Sequence, residues 1–239
     1  MKLCLWMFCL LAPVLAARAE DIRLIYFFMP PYASEVDGKA VGPVVDLLKT
    51  LTQGLPVADQ PMKMPLKRIE YALQSEKTIA VALGRTPRRE TLGLTWVAEL
   101  FRDDYYFVTL TSHRPVDSFE QARAVKRVAC NLGAAPADVL RDHGVVNLES
   151  AYDLRSEAAK LRAGHADVWF DLKSFIEPTW RSLGYDPAEL HWSPPVATQR
   201  MWIVASPKVE PAVIETIRQR YAALKEQGKL DPLFAAPTQ

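Results

Sequence analysis

Residues 78–96 read TIAVALGRTPRRETLGLTW. The run TIAVAL (78–83) is continuous and uncharged, the pattern of a strand buried on both faces within a parallel sheet. After Gly84 the chain turns abruptly basic: Arg85, Arg88 and Arg89 follow with no acid until Glu90. A buried strand that opens onto guanidinium groups is either an ordinary solvated turn or a place for an anion. In open α/β sheets, ligands sit beyond the carboxyl ends of the strands.

On both sides of this stretch, strands and helices alternate. Upstream, IRLIYFF (22–28) is a β-rich run closed by Met29, Pro30 and Pro31. GPVVDLLKTLTQG reads as a helix, with Pro43 in its first turn, Val44, Leu47, Leu48 and Leu51 on one face, and Gly54 as its stop. PLKRIEYAL gives a second, shorter helix. Downstream, YYFVTL (105–110) is a strand, and SFEQ supplies a capping box from Ser118 to Gln121. The strands VKRVACNL, VVNLE and ADVWFD then alternate with the helices APADVLRDHG, DLRSEAAKLRAG and LKSFIEPTWRSLG. Pro178 is expected to break or kink the last of these. RMWIVAS forms a strand and EPAVIETIRQRYAALKEQG a long closing helix, with Val213, Ile217, Tyr221 and Leu224 as its buried stripe. This order predicts an α/β architecture with mostly parallel sheets.

The first residues, MKLCLWMFCLLAPVLAARAED, carry Lys2, an apolar run over 3–16 and a small-x-small site at Ala17, Arg18 and Ala19. That is the pattern of a cleaved export signal over residues 1–19. The bulk of Trp6, Met7 and Phe8 before Cys9 does not suit lipid attachment, so a free, exported, monomeric protein is expected. Cleavage takes Lys2 and Arg18 and no acid, so 29 basic and 28 acidic residues become 27 and 28. Such a balance does not point to nucleic acid or an anionic membrane as partner. Cys4 and Cys9 leave with the signal, so Cys130 has no disulfide partner and is read as a small packed hydrophobe. His113, His143, His165 and His191 lack metal-ligand spacing, and neither metal nor cofactor is expected.

The mature chain resembles the periplasmic solute-binding proteins of family 3, the amino-acid-binding class that serves ABC importers. Five segments carry the resemblance: PPYASEVDGKAVGPVVDLL, GRTPRRETLGLTWV, DSFEQARAVKRVACNLGAAPADVL, LRAGHADVWFD and GKLDPLF. Each is weak alone, and their order over about 200 residues makes them specific. The resemblance implies a type 2 periplasmic binding fold of two α/β lobes, residues 20–109 with 204–239 and residues 110–203. Two crossing strands, YFVTLTS and RMWIVAS, would join them, and hinge closure would trap a ligand between them.

It also implies site residues. Arg89, three after Thr86, matches the arginine that clamps the carboxylate of an amino-acid ligand in this family, where a guanidinium fork fits a carboxylate bidentately. Gly133 and Ala134 match the second-lobe turn that offers backbone N–H groups. Tyr32 matches a ring that stacks on the ligand, or else packs on the strand end. Asp171 either accepts from a ligand ammonium or caps the following helix. Arg85 and Arg68 are open to a cleft role or a surface one, whereas Arg88 is read as solvated and paired with Glu90, Glu99 or Asp103. Trp96 is assigned to packing.

The sequence also departs from the family. Ala82 and Gly84 stand where hydroxyl residues precede the threonine, Ala134 and Ala135 replace a serine or threonine, and the cleft aspartate is displaced by one residue. The ligand implied is therefore a small carboxylate-bearing, anionic or zwitterionic solute, with an ABC permease as possible partner. A non-transport sensor or accessory protein is the alternative. A periplasmic dehydratase is disfavoured, because Glu35, Glu99 and Asp171 form no recognisable catalytic constellation.

Overall fold

A computed structural model describes residues 21–234. The export signal expected over residues 1–19 lies outside the described residues. In chain order the elements are β1 (Arg23–Tyr26), β2 (Ser34–Val36), β3 (Lys39–Val41), α1 (Pro43–Thr52), β4 (Met62–Lys63), α2 (Leu66–Ser75), β5 (Thr78–Gly84), α3 (Pro87–Glu90) and β6 (Thr95–Leu110). There follow α4 (Phe119–Ala124), β7 (Val128–Asn131), α5 (Ala135–Asp142), β8 (Leu148–Ala151), α6 (Leu154–Arg162), β9 (Val168–Leu172) and α7 (Lys173–Ser182). The chain closes with β10 (Leu190–Trp192), β11 (Ala197–Ala205), α8 (Pro211–Glu226) and α9 (Asp231–Phe234).

One sheet runs in the order β4-β1-β5-β11-β6-β9-β7-β8, with β10 beside β6. Its two wings are parallel: β4, β1 and β5 on one side, and β9, β7 and β8 on the other. Between them β6 and β11 pair with each other, and with the innermost strand of each wing, in antiparallel fashion. Every residue of β5 and of β9 is buried, which is why TIAVAL and VWFDL read as unbroken apolar or near-apolar runs.

Local chemistry sets the element ends. Gly42 opens α1 at φ 118°, and a Cβ there would lie 2.5 Å from the Tyr32 carbonyl oxygen, so only glycine fits. That same carbonyl accepts from the Val44 N–H at 3.1 Å and fixes the loop to the helix. The predicted face of α1, Val44, Leu47, Leu48 and Leu51, is buried. Val213, Ile217 and Tyr221 are buried on α8 together with Ile214, while Leu224 is only partly covered. Ser118 caps α4 by accepting from the Gln121 N–H at 3.2 Å. The return bond of the box is shifted by one residue, since the Gln121 amide oxygen accepts from Asp117 N–H at 2.6 Å.

Three elements differ from the sequence expectation. β6 starts at Thr95, ten residues ahead of YYFVTL, because pairing with β11 holds its charged middle in the sheet. Helix α7 continues through Pro178 to Ser182, held by burial of Phe175, Ile176, Thr179 and Trp180 on both sides of the proline. Within β5, Ala82 adopts φ 55° where the register with β11 slips, so the strand is not regular to its end. Cys130 is buried on β7, and desolvation pushes its thiol up, as expected of a packed and unreactive cysteine.

Candidate functional site

Parallel strands of both wings point their carboxyl ends toward one cavity of about 620 Å³. From one side come Phe27 and Phe28 after β1, Lys63 of β4 and Ala82 and Gly84 of β5. From the other come Asn131 of β7, Tyr152 after β8 and Asp171 and Leu172 of β9. This volume falls within the range of small-molecule sites.

Arg89 lies on α3 because Thr86 caps that single turn, its hydroxyl accepting from Arg89 N–H at 3.3 Å. The arginine lines the cavity but is only 1 % exposed. Its Nε donates to Glu70 Oε1 at 2.7 Å, Nη1 to the Gly84 carbonyl at 2.7 Å and Nη2 to the Gly133 carbonyl at 3.3 Å. Three of its five N–H donors are therefore committed to the protein. Arg88 and Arg89 do have an acid, but it comes from α2; of the three arginines Arg85 pairs with its sequence neighbour Glu90. Burial pushes the Glu70 carboxyl up, yet the Arg88 and Arg89 guanidiniums outweigh this and hold it below its ordinary value.

Arg88 is exposed and paired, as the sequence suggested, but its partners are not Glu90, Glu99 or Asp103. It donates to both Glu70 oxygens at 2.8 and 2.9 Å and, through Nε, to Asp138 of α5 at 3.0 and 3.1 Å. Asp138 also accepts from the Thr86 hydroxyl at 3.1 Å. Thr86 and Arg88 thus bind the β5 side of the cleft to α5 on the other side, and Thr86 does not line the cavity.

Gly133 and Ala134 meet the β5 side directly, but not as donors. Gly133 N–H donates to Asn131 Oδ1 at 3.0 Å and Ala134 N–H to the Asn131 carbonyl at 2.9 Å. Both N–H groups expected to face an anion are turned back on the chain. Ala134 lines the cavity, whereas Gly133 gives its carbonyl to Arg89.

Three other expected residues lie away from the cavity lining. Arg85 pairs with Glu90 at 2.7 Å and lies over the rings of Trp96 and Trp202, 5.3 Å from each centroid. Arg68 is exposed on α2. Tyr32 is buried and stacks on Phe101 at 5.0 Å, with Phe234 at 6.2 Å, lining a separate cavity of about 320 Å³. Its packing role fits because β6 reaches back to Phe101, which the sequence placed outside any strand.

Asp171 does line the cavity, at 4 % exposure, and it meets a residue the sequence reading passed over. Glu157 of α6 is fully buried and lies within hydrogen-bond reach of Asp171. Its Oε2 accepts from the Trp169 indole at 2.6 Å, and its Oε1 has no donor among the described residues. Burial raises both carboxyls, Asp171 to about 7 and Glu157 well above its ordinary value. Two adjacent buried carboxyls with no cation between them hold a proton in common. The signal was present in LRSEAAKLR: Leu154, Glu157, Ala158 and Leu161 follow the spacing of a buried helix face, and one of them is an acid. Nearby, the Tyr105 hydroxyl donates to Gln199 Oε1 at 3.0 Å, and Gln199 Nε2 donates to the Arg85 and Arg200 carbonyls at 3.1 and 2.9 Å.

Neither a protein-family model nor a curated protein matches the sequence. Solved structures do match in fold. A mutant of ArgBP from T. maritima superposes with a TM-score of 0.75 at 19 % identity, covering 90 % of this chain and 94 % of that one. The AbpA substrate-binding protein of an amino-acid ABC transporter from Streptococcus pneumoniae, bound to L-arginine, gives 0.73 at 19 % identity over the same shares. A histidine kinase sensor domain with similarity to periplasmic binding proteins gives 0.78 at 16 % identity, covering 91 % of this chain and 96 % of the other. At these identities the likeness establishes the fold and nothing finer. The chain has the mixed α/β, two-lobed fold of the periplasmic binding proteins, shared with substrate-binding proteins of amino-acid ABC transporters.

Proposed function

We propose that the chain is an exported, periplasmic solute-binding protein that captures a small amino-acid-like solute for an ABC importer. The observation that carries this reading is the cavity itself. Parallel strands from both wings end at it, apolar walls from Phe27, Phe28, Met64, Leu66 and Phe175 enclose it, and Arg89 and Asp171 both contribute to its lining. In the proposed division, the first lobe expected over residues 20–109 with 204–239 gives up its last residues from Tyr105 on to the other lobe, expected over 110–203. The antiparallel pairing of β6 with β11 supports a hinge in these two strands, with the passage ahead of Tyr105 because that residue already pairs with β9.

The solute's carboxylate would engage the uncommitted donors of Arg89, in competition with Glu70, and apolar contacts would supply most of the burial. A thermal-shift screen of carboxylates and amino acids on residues 20–239 tests the reading. A ligand at 100 times its Kd stabilises by about 2.7 kcal/mol. Arg89→Lys keeps the charge and loses the planar fork, and should weaken a carboxylate ligand about tenfold or more. Unchanged affinity in that variant removes Arg89 from the site.

A second reading, a sensor or accessory protein of the same fold, is supported by the likeness to the kinase sensor domain. Uptake of the identified ligand by cells lacking the protein separates the two: lost uptake favours import, and unchanged uptake favours sensing. Binding and not catalysis is proposed in either case.

A further inference from the structure

We propose that the smaller cavity, formed by the Tyr32 loop, β6 and α7, is a second binding site, and that it takes a small neutral aromatic molecule bearing a hydroxyl, in its simplest form a phenol. It is distinct from the solute cavity. No residue lines both, and Phe175, which lines the larger one, meets Tyr32 edge-on at 6.3 Å. At about 320 Å³ it stands at the small end of ligand sites, with room for a single ring.

One wall is aromatic. Tyr32 stacks on Phe101 at 5.0 Å, Phe101 on Phe234 at 5.1 Å, and Tyr32 and Phe234 lie 6.2 Å apart. Such a cluster offers a further ring an apolar face or edge to pack on. The facing wall is α7, where the backbone itself is short of a donor. Pro178 has no N–H, so the Ser174 carbonyl one turn earlier lacks its helical partner. Both residues line the cavity. In the same residue, Ser174 Oγ is buried and has no partner among the described residues, although the Tyr32 hydroxyl faces it. An acceptor carbonyl and two hydroxyls therefore gather beside the aromatic wall, and polar groups in such a place are costly until something meets them.

The charges around the cavity are already met. Asp103 accepts from Asp104 N–H at 2.8 Å and from Ser174 N–H at 2.9 Å. Glu177 pairs with Arg181 at 3.0 Å, Arg102 pairs with Glu99, and Lys173 lies over the Tyr106 and Trp192 rings. A charged guest would have to break one of these contacts or remain uncompensated, whereas a neutral hydroxyl requires neither. A hydroxyl also both donates and accepts. Here it donates to the Ser174 carbonyl and accepts from the Tyr32 or Ser174 hydroxyl, while its ring packs against Tyr32, Phe101 and Phe234. Pro178, tolerated in α7 through the packing around it, supplies the free acceptor.

Amide-resolved NMR titration of the protein at neutral pH tests this with phenol, benzene, benzoate and benzylamine. Benzene lacks the hydroxyl, and the last two carry opposite charges. Phenol should shift the amides of Tyr32, Phe101 and Ser174 saturably at millimolar concentration, and bind about fivefold more tightly than the other three. Tyr32→Phe keeps the ring, loses the hydroxyl and should weaken phenol about two- to tenfold. Pro178→Ala returns an N–H to the Ser174 carbonyl and should weaken phenol by a similar factor. That variant adds a structural bond instead of removing one, so its effect is separate from loss of fold. Shifts confined to Ala134 and Asp171 would move phenol to the larger cavity and overturn the proposal. So would a failure to saturate up to tens of millimolar, benzene binding as tightly as phenol, or either charged probe binding more tightly. Unaltered phenol affinity in Pro178→Ala would remove the carbonyl and with it the proposed chemistry. None of these outcomes bears on the solute reading of the larger cavity.

Discussion

Replacing Glu70 with alanine should test whether the arginine clump is a structural joint. Glu70 accepts three of the donors that Arg88 and Arg89 make, at 2.7, 2.8 and 2.9 Å. The two arginines lose differently. Arg88 has a side chain 45 % exposed and keeps Asp138, so its share is about 1 kcal/mol or less. Arg89 is 1 % exposed and would retain only two carbonyl acceptors, leaving a buried guanidinium without a counter-charge. Removing one partner of a buried ion pair costs about 3–5 kcal/mol. For a chain of this size that lowers Tm by roughly 6–20 °C. Urea unfolding of Glu70→Ala with an unchanged slope should report the loss directly. The gap to the unmodified protein should narrow in acid, because a depressed carboxyl stabilises above its unfolded pKa and loses that contribution as pH falls through the folded one. If a carboxylate ligand takes the place of Glu70, acetate should restore part of the stability of Glu70→Ala and not of the unmodified protein. A loss below about 1 kcal/mol would refute the reasoning, since Arg89 would then have to be solvated or otherwise paired.

The raised Asp171 carboxyl has the opposite sign. The folded chain holds a proton that the unfolded chain releases, so stability should fall as pH rises from about 4 to about 7 and then level. Asp171→Asn should flatten that profile, as followed by urea unfolding at a series of pH values. Tyr32→Ala should cost about 3 kcal/mol through the lost contacts with Phe101 and Phe234, while leaving affinity in the larger cavity unchanged. Weakened binding would instead place the ring at the ligand. Gly84→Ala sets a methyl 2.9 Å from the Ala135 Cβ of α5 and 3.1 Å from Gln199 Cδ of β11. It should cost about 1–3 kcal/mol, or relieve the clash by opening the protein, which solution scattering would show as a larger radius. An unchanged profile with unchanged stability would mean that β5 and α5 are not this close.

The sequence by itself determined the α/β order and its punctuation. Buried strands such as TIAVAL and VWFDL exclude charge or nearly so, helices such as VVDLLKTL place their apolar residues at one spacing, and Gly42 sits where no Cβ fits. These are local constraints, written within a few residues of where they act. It also put Arg89 and Asp171 at strand ends, and both line the cavity. What each of them touches was decided only by tertiary structure. Glu70 and Asp138 lie 19 and 50 residues from the arginines they hold, and Glu157 meets Asp171 only because α6 packs on β9. Whether a guanidinium is free or already paired depends on charges delivered by other elements. That information resides in contacts between distant segments, and a linear reading has no spacing from which to infer it.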